Sequence, residues 1–328
     1  MDLLSGLALS IVFAVIPMAV FARVITRFDR YEKEPAFLLL AVFLWGFFVA
    51  AGLAAVLNTF VDRFLYGITG SQMFSIGATA ILVGPLVEES LKGLAVLILY
   101  VFFRKYFNTV LDGIIYGGVI GFGFAAAENI LYIFGGFEMA GLQGLLSVAL
   151  ARVILIPFLH ATLTSFTGLG FALARTSRGK LKYAAPALGY VLAVSMHSLH
   201  NLLTVTQIPV LQEASFVIDW TGVIALLFLT YILMRNESGI MKKYLAYEIG
   251  CGTINQNQWE TAVSPYRKNV TCLKCLDTEK RRKMNEFYKL LGDLAFIKYE
   301  RDTMGYRGLE DEIARLRDKV KALGKEIS

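Results

Sequence analysis

Residues 74–103 read "FSIGATAILVGPLVEESLKGLAVLILYVFF", thirty residues with charge only at Glu88, Glu89 and Lys92. A membrane-spanning helix needs about 20 predominantly apolar residues, so this stretch has spanning length with three ionisable groups inside it. Each such group at mid-bilayer costs about 2.5–3.5 kcal/mol on insertion scales. The three must therefore face a protein interior, where they can pair and where a function can justify them. Six further apolar stretches flank this one, at roughly 3–23, 36–57, 110–134, 145–174, 184–205 and 216–234. The chain of 328 residues is 56% hydrophobic with mean hydropathy +0.58, which excludes an ordinary soluble domain. The expected fold class is all-α, a polytopic membrane bundle of about seven transmembrane helices.

After Met234 the character changes. Residues 235–328 carry 19 Lys/Arg and 14 Asp/Glu with no apolar run of spanning length. The expected organisation is a transmembrane domain over 1–234 and a mostly helical tail over 235–328. Alternate loops are basic: 22–35 has four Lys/Arg, 104–109 two and 175–183 four, against one, none and none in 58–73, 135–144 and 206–215. Cytoplasmic loops carry the excess of Lys and Arg. The pattern predicts a multi-pass protein of the cell membrane, with an external N-terminus and the tail in the cytoplasm.

The polar residues of the apolar stretches collect at one depth. The third holds Glu88, Glu89 and Lys92, with Lys92 one turn beyond both carboxylates and able to neutralise either. The fourth holds Glu128 and Asn129, the fifth His160, and the sixth His197, His200 and Asn201. Given alternating helix directions, all of these fall from mid-bilayer toward the external face. The chain has three histidines and all are in this layer. Taken singly, Asn129 and Asn201 read as interhelical hydrogen-bond partners, Arg152 as a side chain snorkelling to the outer interface, and Gly117, Gly121 and Gly123 as close-packing positions. Adjacent glutamates and three histidines at one depth call for chemistry. Desolvation and a neighbouring carboxylate raise a carboxyl group's proton affinity while Lys92 opposes both, so Glu88 or Glu89 could serve as a base toward water. His160, His197 or His200 and Glu128 could also hold Zn²⁺ with one position open. Either arrangement is a water-activating site closed off by helices.

These residues carry a resemblance. "EESLK" resembles the EExxK motif of the PrsW family of intramembrane proteases, "FAAAENILY" its FxxxE motif, and "HATLTSFTG" and "HSLHN" its histidine motifs. The four occur in order over residues 88–201 and leave the tail uncovered. The wider superfamily includes the type II CAAX prenyl endopeptidases, so the resemblance implies a catalytic core of helices three to six. It implies hydrolysis of a peptide bond in a membrane-anchored protein, of the anti-sigma-factor kind, near the external face. Glu88 and Glu89 match the essential glutamate pair, Glu128 the second-motif acid, and His160 with His197 or His200 the histidines. The family is classed with metallopeptidases, while related enzymes have been argued to work by glutamate and water alone, and both routes stay open here.

Two readings compete. A proton- or metal-coupled transporter would also bury Glu and His, but no segment repeats as a two-half transporter would predict. A seven-helix sensor would use the cluster to bind a ligand. In the tail, Cys251, Cys272 and Cys275 could form a three-thiolate zinc site, with reduced free thiols as the alternative. Leu309, Ile313, Leu316, Val320 and Leu323 follow a heptad-like spacing, so a helical hairpin packed on itself or on a cytoplasmic regulatory partner is expected. The remaining partners expected are the lipid bilayer and a protein substrate, with no direct nucleic-acid contact.

Overall fold

The computed structural model describes residues 2–31, 33–177, 179–304 and 308–327; Arg178, counted above among the basic loop residues, lies outside them. These residues form helices and turns without a strand. They divide into two compact units, Met1–Phe28 with Glu34–Thr230, and Asp29–Lys33 with Tyr231–Ser328.

The first unit begins with α1 (Leu3–Ile25), capped by Asp2, whose carboxylate accepts from the Ser5 amide at 2.9 Å. There follow α2 (Ala36–Leu44), a π-helical turn at Trp45–Ala50, and α3 (Ala51–Thr69), which ends on Gly70 in the left-handed region. Next come α4 (Gln72–Ala78), a second π-turn at Thr79–Val83, and α5 (Gly84–Phe102). A capping box between Thr109 and Asp112 starts α6 (Val110–Ala149), which kinks at Ala140 and Gly141. A third π-turn at Leu150–Leu155 leads to α7 (Leu159–Thr176), then α8 (Leu181–Val205) and α9 (Pro209–Gly250), which passes into the second unit.

Four segments of the described chain are long and apolar enough to cross a membrane: Leu3–Ile25, Ala36–Thr69, Val110–Thr176 and Pro209–Gly250. Their outer surfaces carry Leu4, Phe48, Phe60, Leu131, Ile154 and Phe228 well exposed, as lipid-facing side chains should be. The stretch read from sequence as one helix over 145–174 is interrupted at 156–158. Pro157 has no amide hydrogen to donate and disfavours helical geometry at the residue before it, and Ile156 accordingly sits at φ −129°, ψ 48°. His160 thus falls in the first turn of α7 rather than in mid-helix. The loop read over 58–73 is also shorter than expected, because α3 continues helical to Thr69.

Close approach of α6 and α7 is set by glycine. A Cβ at Gly113, Gly117 or Gly121 would collide with the α7 carbonyl oxygens of Gly168, Thr164 and His160 respectively, and one at Gly123 with that of Phe43. Gly121→Ala is therefore expected to destabilise the unit by about 1–3 kcal/mol through overpacking. Gly67→Ala, where nothing lies within 4 Å, should be neutral or slightly stabilising from helix propensity. Thermal unfolding of the two variants in detergent checks the contrast.

The second unit is helical too, with α10 (Gln256–Ala262), α11 (Pro265–Lys274), α12 (Thr278–Met304) and α13 (Glu310–Ile327) after the end of α9. Met241, Leu245, Phe287, Leu291, Ala295 and Val320 form its core with Tyr31. The heptad-like face of α13 packs on α12, burying Ile313 and Val320, so the expected hairpin closes on itself. Glu248 is buried but fully met: Lys298 Nζ lies 2.7 Å from Oε1, Arg317 donates to both carboxylate oxygens at 2.7 and 2.8 Å, and the Thr253 hydroxyl donates at 2.7 Å. The three cysteines do not assemble into a ligand set. Cys251 is exposed beyond α9, Cys272 points into the core where burial pushes its thiol pKa up, and Cys275 Sγ is 3.5 Å from the Asp277 carbonyl.

Candidate active site

Adjacent residues on a helix lie about 100° apart, and α5 uses that angle to give Glu88 and Glu89 different surroundings. Glu89 shares its face with Lys92 one turn on. Both are fully buried, with Lys92 Nζ 2.5 Å from Glu89 Oε1 and 4.2 Å from the centre of the Phe124 ring on α6. Glu89 Oε1 also lies 2.9 Å from His197 Nδ1 on α8. Lys92 reaches His160 Nδ1 on α7 at 3.3 Å. The other ring nitrogen of His160, Nε2, is 2.8 Å from Glu128 Oε2 on α6. The pattern joins four helices: a buried carboxylate holds one histidine ring, an ammonium the other.

Glu88 turns away from this pair and lines a cavity of about 640 Å³. Asn58 Nδ2 donates to its Oε1 at 3.3 Å, and its Oε2 is 3.8 Å from His197 Nε2. Glu128, His160, His197, His200 and Asn201 share the cavity wall with Asn58, Asp62, Tyr132 and Arg152. A second, largely apolar cleft of about 830 Å³ shares Asn58, Glu88, Glu128 and Tyr132 with it. Glu89 and Lys92 line neither.

The remaining expected residues take distinct places. His200, one turn from His197, pairs through Nδ1 with Asp219 Oδ2 at 2.7 Å and lies 2.9 Å from the Ser215 hydroxyl, both on α9. Asn201 donates to the Ala80 carbonyl in the second π-turn at 2.8 Å. Asn129 accepts from Arg152 Nε at 2.7 Å, while Arg152 Nη2 pairs with Glu128 Oε2. Arg152 thus does not snorkel outward: Glu128 and Asn129 draw it inward, over the Tyr132 ring at 4.1 Å.

Among the described residues, one group offers three metal-ligand atoms close together. Glu88, His160 and His197 place one such atom each within 4.8 Å of the others. Glu88 Oε2 is buried without a hydrogen-bond partner, as an atom reserved for a cation or a water would be. Two imidazoles and a carboxylate match the donor set of hydrolytic zinc sites with one position left open. Glu88 Oε2 and His197 Nε2 can face an ion directly, and His160 would do so by giving up one of its contacts, to Lys92 or to Glu128. Of the ligands expected from sequence, His160 and His197 are in this group. His200 is tied to Asp219 and Glu128 to Arg152, and Glu88 takes the third place.

Asn58, Asp62, Ser215, Asp219 and Arg152 were not singled out for the site by sequence reading. Asn58 and Asp62 fell in a presumed loop. Asp219 offered a signal, being an acid inside the apolar stretch 216–234.

Comparison with known proteins bears on this arrangement. The family described as PrsW family intramembrane metalloprotease matches residues 34–233, which takes in the whole cavity and ends before the tail. The chain is 29% identical over 177 residues to Protease PrsW of Geobacillus kaustophilus, covering 53% of this chain and 70% of the relative. It is 28% identical over 178 residues to that of Bacillus subtilis, covering 53% and 73%. Protease PrsW of Clostridioides difficile is 34% identical over 130 residues, covering 40% and 52%. No solved structure matches the chain.

Proposed function

The chain belongs to the PrsW family of intramembrane metalloproteases and is a membrane protease; from that premise we propose that it cuts a membrane-anchored protein, of the anti-sigma-factor kind, by water activated at Glu88, His160 and His197. The observation that carries the reading is the buried, unpartnered Glu88 Oε2 on a cavity wall beside two imidazoles. Water entering there meets a carboxylate with a free oxygen, and Glu88 takes its proton as the water oxygen adds to the peptide carbonyl. The proton then passes to the leaving nitrogen. Glu89 holds His197 by Nδ1, and Glu128 holds His160 by Nε2, so both rings are fixed before substrate arrives. Lys92 pairs with Glu89 and takes no direct part. A divalent ion such as Zn²⁺, where held by Glu88, His160 and His197, would take up the free Glu88 oxygen as a ligand and would itself supply the activation of water and of the carbonyl, in place of Glu88 as base.

The basic and non-basic loops alternate as for seven crossings with an external N-terminus and a cytoplasmic tail. That orientation puts the cut toward the external side, and the tail then offers a regulatory surface to cytoplasmic partners. The test compares membrane-protein N-termini by mass spectrometry in cells lacking the chain, restored with wild type, or restored with His197→Gln at equal abundance. New termini beside a transmembrane segment, with wild type alone, are expected. If wild type adds none under any inducing condition, the proteolytic reading of this site fails.

A further inference from the structure

We propose that Arg152 is a catalytic residue of the site, donating from Nη1 to the carbonyl oxygen of the scissile bond as negative charge gathers there. The proposal rests on the hydrolytic reading above and adds the electrophile that reading leaves unassigned. Arg152 sits in the third π-turn, Leu150–Leu155, a backbone form found often at functional sites. Its guanidinium is locked on three sides: Nε donates to Asn129 Oδ1, Nη2 pairs with Glu128, and the plane lies over Tyr132. Nη1 has no hydrogen-bond partner among the described residues, and the side chain lines the same cavity as Glu88, His160 and His197.

The simpler role is to neutralise Glu128. A compact ammonium would do that equally well, and Glu128 already has a second partner in His160. What neutralisation leaves unexplained is the rigid fork, with two nitrogens committed to fixing the third. Preorganised donors aimed at developing charge are the largest single contribution in many hydrolases, and an always-charged, planar guanidinium suits that task. In the step assigned to it, the water oxygen bonds to the carbonyl carbon and the water's proton goes to Glu88. The carbonyl π electrons move onto oxygen, where Nη1–H donates. Reforming the carbonyl breaks the C–N bond, and the amine leaves with the proton from Glu88.

The test uses the full chain in lipid nanodiscs and a fluorogenic peptide spanning a cut found by the terminus comparison. Arg152→Gln is expected to lower kcat by roughly 10²–10³-fold, with KM and zinc binding little changed and the melting temperature lowered by loss of the Glu128 counter-ion. Arg152→Lys, which keeps the charge beside Glu128 and loses the fork, should remain at least about tenfold below wild type in kcat. Partial recovery of Arg152→Ala by added methylguanidinium would support the same role. Arg152→Lys at wild-type kcat, or a loss confined to KM, would overturn it and leave Arg152 as a counter-ion. Should Arg152→Gln not fold, Arg152→Lys decides alone. Failure of the hydrolytic reading looks different, since wild type itself would then release no product.

Discussion

Glu88→Gln is expected to remove proteolysis while leaving the protein folded. Restored at wild-type abundance, the variant should yield none of the wild-type N-termini, and purified it should fall by roughly 10²–10⁴-fold, the range for losing a positioned proton acceptor. Its melting temperature should stay near wild type. The Glu88 carboxylate borders a cavity and makes one hydrogen bond in the described chain, from Asn58 Nδ2 to Oε1 at 3.3 Å. An amide of the same shape can still accept from Asn58 through its oxygen. The same exchange replaces one ligand oxygen of the Glu88–His160–His197 group with a neutral, weaker donor, so zinc affinity measured by competition with a chelator should fall as well. Wild-type cleavage by Glu88→Gln would refute the assignment and move the essential carboxylate elsewhere on the wall, to Glu128. Loss of cleavage with unchanged zinc affinity would place Glu88 on the water alone.

The division of labour between Glu88 and Glu89 explains what the sequence could and could not reveal. Charges inside a run of spanning length announce a polar site, because their insertion cost selects against them elsewhere. The four-motif order announces which helices meet. Helical spacing also tells that Lys92 can reach both carboxylates. It does not tell which one Lys92 chooses, since i,i+3 and i,i+4 are both allowed; packing of α5 against α7 and α8 settles that for Glu89. His197 and His200 presented the same ambiguity. Three residues apart, they share a helix face in principle, yet Asp219 on α9 draws His200 into a separate pair. Arg152 was misread because depth along a presumed straight helix was the only guide, and the break at 156–158 removes that guide. Tertiary breaks of this kind have a local signal in Pro157, but a proline in an apolar run more often reads as a kink than as an end. In the tail, heptad spacing identified the buried face of α13 and its hairpin with α12, while the core partners on α9 lie too far away in sequence to be paired by spacing.

Glu89→Gln should behave differently from Glu88→Gln, chiefly as a stability defect. The substitution is close to isosteric, which by sequence alone suggests an intact fold with activity lost. Here it leaves the Lys92 ammonium fully buried, facing Phe124 and His160, with its 2.5 Å counter-ion replaced by a neutral amide. Breaking a buried pair from one side costs about 3–5 kcal/mol because the remaining charge is uncompensated, and this loss should show as a clearly lower melting temperature in nanodiscs. Removing both charges tests that cause. The double variant Glu89→Gln with Lys92→Met replaces the ammonium by an apolar chain of similar length, and paired removal is often near neutral. It should recover most of the lost stability. It should not recover activity, because His197 still lacks the carboxylate that fixed its Nδ1 side, and loss of such an anchor costs roughly 10–100-fold. A stable but inactive Glu89→Gln would instead assign Glu89 a direct part in the chemistry, with the Lys92 pair secondary. Stability recovered together with full activity in the double variant would remove Glu89 from the mechanism and leave Glu88, His160 and His197 sufficient without it.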